Sequence, residues 1–101
     1  MSPSGKPRTR RPSGIKTPED LKPIVQRERK RLGLRLRELR EARGLTQEQA
    51  AEMIGIHAKY MPRVEAGRAN LTVDVLIAAS VAYEVALSDL FTKASDGDAT
   101  E

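Results

Sequence analysis

Apolar positions recur at helical spacing through most of this chain, and the breaks between them fall at glycines and capping residues. From Ile24 or Val25 onward, Val25, Leu32, Leu36 and Leu39 lie on one stripe while arginines and glutamates fill the other faces. The pattern predicts a long first helix, closed by Gly44 as a left-handed cap. Gly33 falls inside it and weakens it by ~1 kcal/mol relative to alanine. Thr46-Gln47-Glu48-Gln49 reads as a capping box, followed by Ala50, Ala51 and Ile54 as the inner face of a short helix that Gly55 stops. A third segment opens at His57, buries Tyr60, Met61 and Val64, and closes at Gly67. Thr72 caps a fourth, with Asp74 in its first turn. Leu76, Ala79, Val81, Ala82 and Tyr83 make this fourth helix apolar enough to be the central buried one. Ser88 caps a fifth and last turn, Asp89-Leu90-Phe91. No run alternates with the period of two that a sheet requires.

The ends differ from this middle. Residues 1–16 are rich in Pro, Ser, Gly and Arg and too poor in apolar groups to offset backbone ordering, so they read as disordered. Thr17-Pro18-Glu19-Asp20 is a helix-start signal, and Pro23 interrupts soon after. Lys93 to Glu101 is polar and acidic and reads as frayed. The division expected is a flexible basic arm over 1–24, a helical domain over 25–91 and a flexible tail over 92–101. Two short helices joined through a glycine turn, at 47–54 and from His57, form a helix-turn-helix arrangement.

Charge adds direction. The formal net charge is +4 over 101 residues, but it is unevenly placed. Residues 25–45 carry eight basic and three acidic groups, whereas residues 46–101 carry four basic and nine acidic ones. A basic N-terminal half is the footprint of a polyanion-binding surface. The chain has no cysteine and one histidine, His57, which excludes thiol chemistry and a multi-histidine metal site. No nucleophile–base pair, metal cluster or phosphate-cradling glycine loop supports an enzyme, and no cofactor is expected. Three aromatics cannot build a stacking platform for single-stranded RNA. No apolar run approaches the ~18 residues of a membrane span, and the start has no apolar signal core. The expected location is the cytoplasm, with the nucleoid.

The stretches Leu32-Gly33-Leu34-Arg35-Leu36-Arg37-Glu38-Leu39-Arg40, Arg43-Gly44-Leu45-Thr46-Gln47-Glu48-Gln49-Ala50-Ala51, Gly55-Ile56, Tyr60-Met61, Val64-Glu65-Ala66-Gly67-Arg68-Ala69-Asn70 and Leu87-Ser88-Asp89-Leu90-Phe91 together resemble the phage-repressor (Xre/Cro-like) helix-turn-helix family, controller proteins included. The resemblance implies an all-α, five-helix repressor-like bundle that binds double-stranded DNA. It puts Thr46 and Gln47 at the sugar–phosphate backbone, where a helix N-terminus favours anions. It makes the third helix the reader, with His57, Ala58, Lys59 and Arg63 facing bases; lysine and arginine suit a guanine edge and alanine a thymine methyl. Tyr60, Arg68 and Asn70 take phosphate contacts, and Arg40 with Glu65 forms a structural ion pair. Besides His57, three residues depart from the family pattern. Pro62 stands inside the reader, where it either costs a backbone bond or delays the helix start. Ala50 replaces a larger residue, and Glu84 replaces a capping glycine. His57 stands where the family prefers Ser or Thr, and histidine is a poor cap.

The expectation is therefore a sequence-specific transcriptional regulator acting as a homodimer on a palindromic operator, with Leu87, Leu90 and Phe91 at the two-fold interface. Lys6, Arg8, Arg10 and Arg11 of the arm are expected to follow a phosphate track or enter an adjacent minor groove. The alternatives are an antitoxin-type module with a small protein partner, or a non-specific basic DNA binder.

Overall fold

A computed structural model describes residues 14–94. Four α-helices follow one another: α1 (Lys22–Ala42), α2 (Gln47–Ile54), α3 (Met61–Glu65) and α4 (Val73–Tyr83). Three 3-10 turns, Pro18–Leu21, Ala58–Tyr60 and Leu87–Phe91, complete them. There is no strand among the described residues. The all-α class is as expected, but among the described residues the helix count is four and not five. The expected fifth helix is the 3-10 turn Leu87–Phe91, which ends where Thr92 becomes extended. Its cap also differs from expectation. Ala86 holds the cap position, and its N–H donates to the Asp89 carboxylate at 3.1 Å.

The helical part begins earlier than residue 25. The Asp20 carboxylate accepts the backbone N–H groups of Lys16 (2.8 Å) and Thr17 (3.0 Å), closing the turn that leads into α1. These two bonds hold its pKa below the usual aspartate value. Pro23 does not interrupt. It lies in the first turn of α1, where its missing N–H costs no intrahelical bond. Ala94, which the sequence places in the tail, is buried.

The core gathers Leu36 and Leu39 of α1, Ala50 and Ala51 of α2, Met61 and Val64 of α3, and Ala79, Ala82 and Tyr83 of α4, closed by Leu90. Val25, placed by the sequence on the inner stripe, is 41% exposed, since it lies in the first turn of α1, ahead of the stretch from Leu32 onward that packs on the core. Val81, expected inside, is 72% exposed. Leu90 corrects the expected interface: it is 0% exposed within one chain and cannot serve a second copy.

Two glycines set how α3 sits on α1. A Cβ on Gly33 would lie 2.5 Å from the Glu65 carbonyl oxygen and 2.8 Å from that of Val64. The glycine that looks like a weakness in α1 is the point where the end of α3 touches its backbone. Gly67 has φ +78°, and a Cβ there would meet the Lys30 Cα at 2.8 Å. At the far end, Glu84 ends α4 with φ 58°. It takes the left-handed conformation without being glycine, and its carboxylate lies 2.6 Å from Arg43.

Candidate nucleic-acid interface

α2 starts from a complete capping box. The Thr46 hydroxyl accepts the Gln49 N–H at 3.0 Å, and the Gln49 side-chain oxygen accepts the Thr46 N–H at 2.9 Å. Gln47 follows, half-buried, and its Nε2 donates to Glu65 Oε1 at 3.1 Å. The same carboxylate accepts Arg40 Nε at 2.7 Å and Arg40 Nη2 at 3.1 Å, while Arg40 Nη1 donates to the Leu45 carbonyl at 2.7 Å. Glu65 is 8% exposed, and Arg40 is also largely covered. The bond to Glu65 raises the Arg40 pKa, against the opposing effect of burial. One paired charge therefore ties α1, the α1–α2 loop, α2 and α3 together. The Arg40–Glu65 pair implied by the resemblance forms. The participation of Gln47 was not foreseen; one Nε2 proton goes to Glu65 and the other remains for an external acceptor.

Tyr83 lies under this network. Its hydroxyl is buried without a hydrogen-bond partner among the described residues. Burial first, then the Glu65 charge, pushes its pKa up to about 12, with Arg40 opposing.

The segment expected to be the reader has two parts. His57 caps the 3-10 turn after all, through a ring nitrogen: Nδ1 accepts the Lys59 N–H at 3.1 Å. With Nδ1 accepting, Nε2 is the ring nitrogen left for an external partner. Met61 N–H bonds the Ala58 carbonyl, and Pro62 then lies in the first turn of α3, where it removes no helical bond. Of the base-facing candidates, His57, Ala58 and Lys59 thus precede α3 and only Arg63 belongs to it. All four are exposed. Tyr60 is half-buried against the core.

The turn after α3 is built by Gly67. Arg68 and Asn70 point outward on either side of buried Ala69. Arg63 Nη2 lies 3.4 Å from the Arg68 carbonyl, which holds the arginine beside the loop. Lys59, Arg63 and Arg68 have no carboxylate within salt-bridge distance among the described residues.

Elsewhere, Leu87 is 39% and Phe91 59% exposed. The arm residues Lys6, Arg8, Arg10 and Arg11 lie outside the described residues. No three His, Cys, Asp or Glu side chains among the described residues could hold a metal ion. No described helix is long and apolar enough to cross a membrane.

The family model for a helix-turn-helix domain matches residues 31–90. Among solved structures, the chain is similar to the restriction-modification controller protein C.AhdI from Aeromonas hydrophila: 35% identity over 61% of this chain and 94% of that one, TM-score 0.60. It is similar to the clp gene regulator ClgR from C. glutamicum, at 26% identity over 72% of this chain and 95% of that one, TM-score 0.62. It is also similar to the hypothetical transcription factor NHTF from Neisseria, at 26% identity over 71% and 81% of the two chains, TM-score 0.65. No curated protein matches.

Proposed function

The chain belongs to the helix-turn-helix domain family, and from that premise we propose that it is a sequence-specific transcription regulator that binds duplex DNA as a homodimer on a palindromic operator. The observation that carries the reading is the exposed row His57, Ala58, Lys59 and Arg63, whose two cations have no acidic partner, held on a frame fixed by Arg40, Glu65 and Gln47. Arg63 takes a guanine edge with two parallel bonds. Thr46, Gln47, Tyr60, Arg68 and Asn70 take phosphates on either side, the free Nε2 proton of Gln47 being the donor there. The likeness to the controller protein C.AhdI and to the clp gene regulator ClgR supports the same role.

A single small domain reads few base pairs, so two copies supply the missing affinity. The apolar surface for this is Val73, Ile77 and Val81, spaced at i, i+4 and i+8 along α4 and exposed at 65%, 45% and 72%, with Leu87 and Phe91 beyond the helix. Selection of bound sequences from random duplex DNA tests operator and symmetry together. A palindromic motif is expected; a flat distribution overturns the reading. Arg63→Ala should cost ~1–3 kcal/mol on the preferred site and flatten one base pair per half-site. Gln47→Ala should weaken all sequences alike. In sedimentation, Val81→Asp with Phe91→Ala should leave a monomer; an intact dimer puts the interface elsewhere.

A further inference from the structure

The charges of α1 sort into two groups. Lys22 pairs with Glu19 at 2.7 Å, Arg31 with Glu28 at 3.2 Å, Arg35 with Glu38 at 2.8 Å, Arg37 with Glu41 at 3.1 Å and Arg40 with Glu65 at 2.7 Å. Arg27 reaches Glu28 at 3.9 Å. Arg29 and Lys30 have no carboxylate within salt-bridge distance among the described residues. A merely solvated helix face would leave its unpaired cations anywhere. Here both lie on the side of α1 that meets the turn after α3.

That side is an open groove lined by Gln26, Arg29, Lys30, Ala66, Gly67 and Arg68. Its two walls are held together by backbone contact, since a Cβ on Gly67 would lie 2.8 Å from the Lys30 Cα. Arg29 is half-buried and also lines an adjoining apolar pocket with Leu32, Ala69 and Leu71, the setting in which an arginine covers its stem and leaves its guanidinium in solvent. The lining contains no acid. Glu65, the nearest in sequence to the turn, spends its carboxylate on Arg40 and Gln47. Three cations, Arg29, Lys30 and Arg68, therefore surround one groove with nothing in the described chain to neutralise them. Arg68 continues directly to the reader, because its carbonyl is the partner of Arg63 Nη2 at 3.4 Å.

The geometry points to a phosphate clamp: Arg29 and Lys30 of α1, with Arg68, grip the sugar–phosphate backbone of duplex DNA beside the groove that the reader segment enters. This rests on the DNA-binding reading and extends it to a helix outside the helix-turn-helix pair. The open shape and the continuity with Arg63 favour a polymer backbone over a small free anion, which needs enclosing walls. Such contacts fix register and add affinity but carry no base information.

The test compares the full chain with Arg29→Gln/Lys30→Gln and with Arg27→Gln/Arg31→Gln. The second variant removes the same formal charge from the same helix at paired positions. Affinity is measured against salt on the selected duplex and on a scrambled one. The groove variant should lose ~1.8 from the slope of log affinity against log salt, ~0.9 per phosphate contact. Its affinity should fall by the same factor on both duplexes, with the selected motif unchanged. The paired-cation variant should keep a slope close to that of the parent. If the parent binds and the groove variant keeps the parental slope, or both variants lose slope equally, the clamp is overturned alone. If the parent binds no duplex, the DNA-binding reading falls and the clamp with it.

Discussion

Gly33→Ala sets two well-defined effects against each other. The residue sits in the middle of α1 with an ordinary helical backbone, so alanine gains ~1 kcal/mol of helix propensity. Against this, the new Cβ would stand 2.5 Å from the Glu65 carbonyl oxygen, 2.8 Å from that of Val64 and 2.9 Å from the Glu65 carbonyl carbon. All three are backbone atoms, so no rotamer change relieves them. α3 must move off α1 by roughly an ångström, and close-packed interiors resist such a shift. Overpacking of this kind costs ~1–3 kcal/mol, at the upper end where backbone must move. The movement also lengthens the Arg40–Glu65 bonds, now 2.7 and 3.1 Å. The net expectation is a loss of ~1–2 kcal/mol, or roughly 5–15 °C in Tm for a domain of this size. Thermal and urea unfolding followed by far-UV circular dichroism measure it. A Tm raised by an amount that matches ~1 kcal/mol of propensity would show that α1 and α3 do not approach closely at this point.

Two further outcomes follow from the buried tyrosine and the strained cap. Tyr83 has its pKa pushed up to about 12 in the folded chain, against an ordinary value of 10. The unfolded chain therefore loses its phenol proton first as pH rises. The stability is complete below about 10, falls between the two values by on the order of 2 kcal/mol, and levels off above the folded pKa. Tyr83→Phe should remove this alkaline decline, with near-neutral effect at pH 7 because the hydroxyl has no partner; an unchanged decline would assign it to another group. Glu84→Gly should relieve the left-handed backbone penalty and lose only the Arg43 pair, whose partners are 40% and 65% exposed. A net gain of ~0.5–1 kcal/mol in urea unfolding is expected, and a loss would mean the ion pair outweighs the strain.

What was legible in the sequence was mostly local. The capping box at Thr46 and Gln49, the cap at Thr72 and the left-handed Gly44 each depend on residues within a few positions of one another. Resemblance supplied the one long-range pair, Arg40 with Glu65. The features missed depend on what lies opposite in space. Periodicity placed Val25 on the inner stripe, but nothing in a pattern says where the bundle stops covering a long helix. Leu90 was read as surplus apolar surface on a final turn; in fact the turn folds back so that Leu90 closes the core and Phe91 faces out. Gly33 looked like a defect because propensity scores a residue against its own helix. A glycine in mid-helix is nonetheless a signal of close approach, and it was present to be read.

The reader shows the same limit at finer scale. Pro62 forbids an α-helical bond to Ala58, so the chain meets that position as the first turn of α3 and runs 58–60 as a 3-10 turn. A poor capping residue by type, His57 becomes adequate because the turn is tight enough for Nδ1 to reach the Lys59 N–H. The geometry offered for the proposed base contact changes with it. A 3-10 turn rises about 2.0 Å per residue against about 1.5 Å in an α-helix, and advances three residues per turn. Lys59 and Arg63, four apart, are therefore not stacked on one α-helical face as the sequence suggests. Arg63 projects from α3 and is held at the Arg68 carbonyl, whereas Lys59 projects from the turn on a long four-carbon stem with no carboxylate in salt-bridge distance among the described residues. A bidentate contact needs the fixed, planar group on the stiffer element, and a point charge on a mobile stem suits phosphate as well as bases. On the proposed reading, Arg63→Ala should alter the motif selected from random duplex DNA, whereas Lys59→Ala should weaken all sequences alike; a motif changed by Lys59→Ala and not by Arg63→Ala would overturn this division.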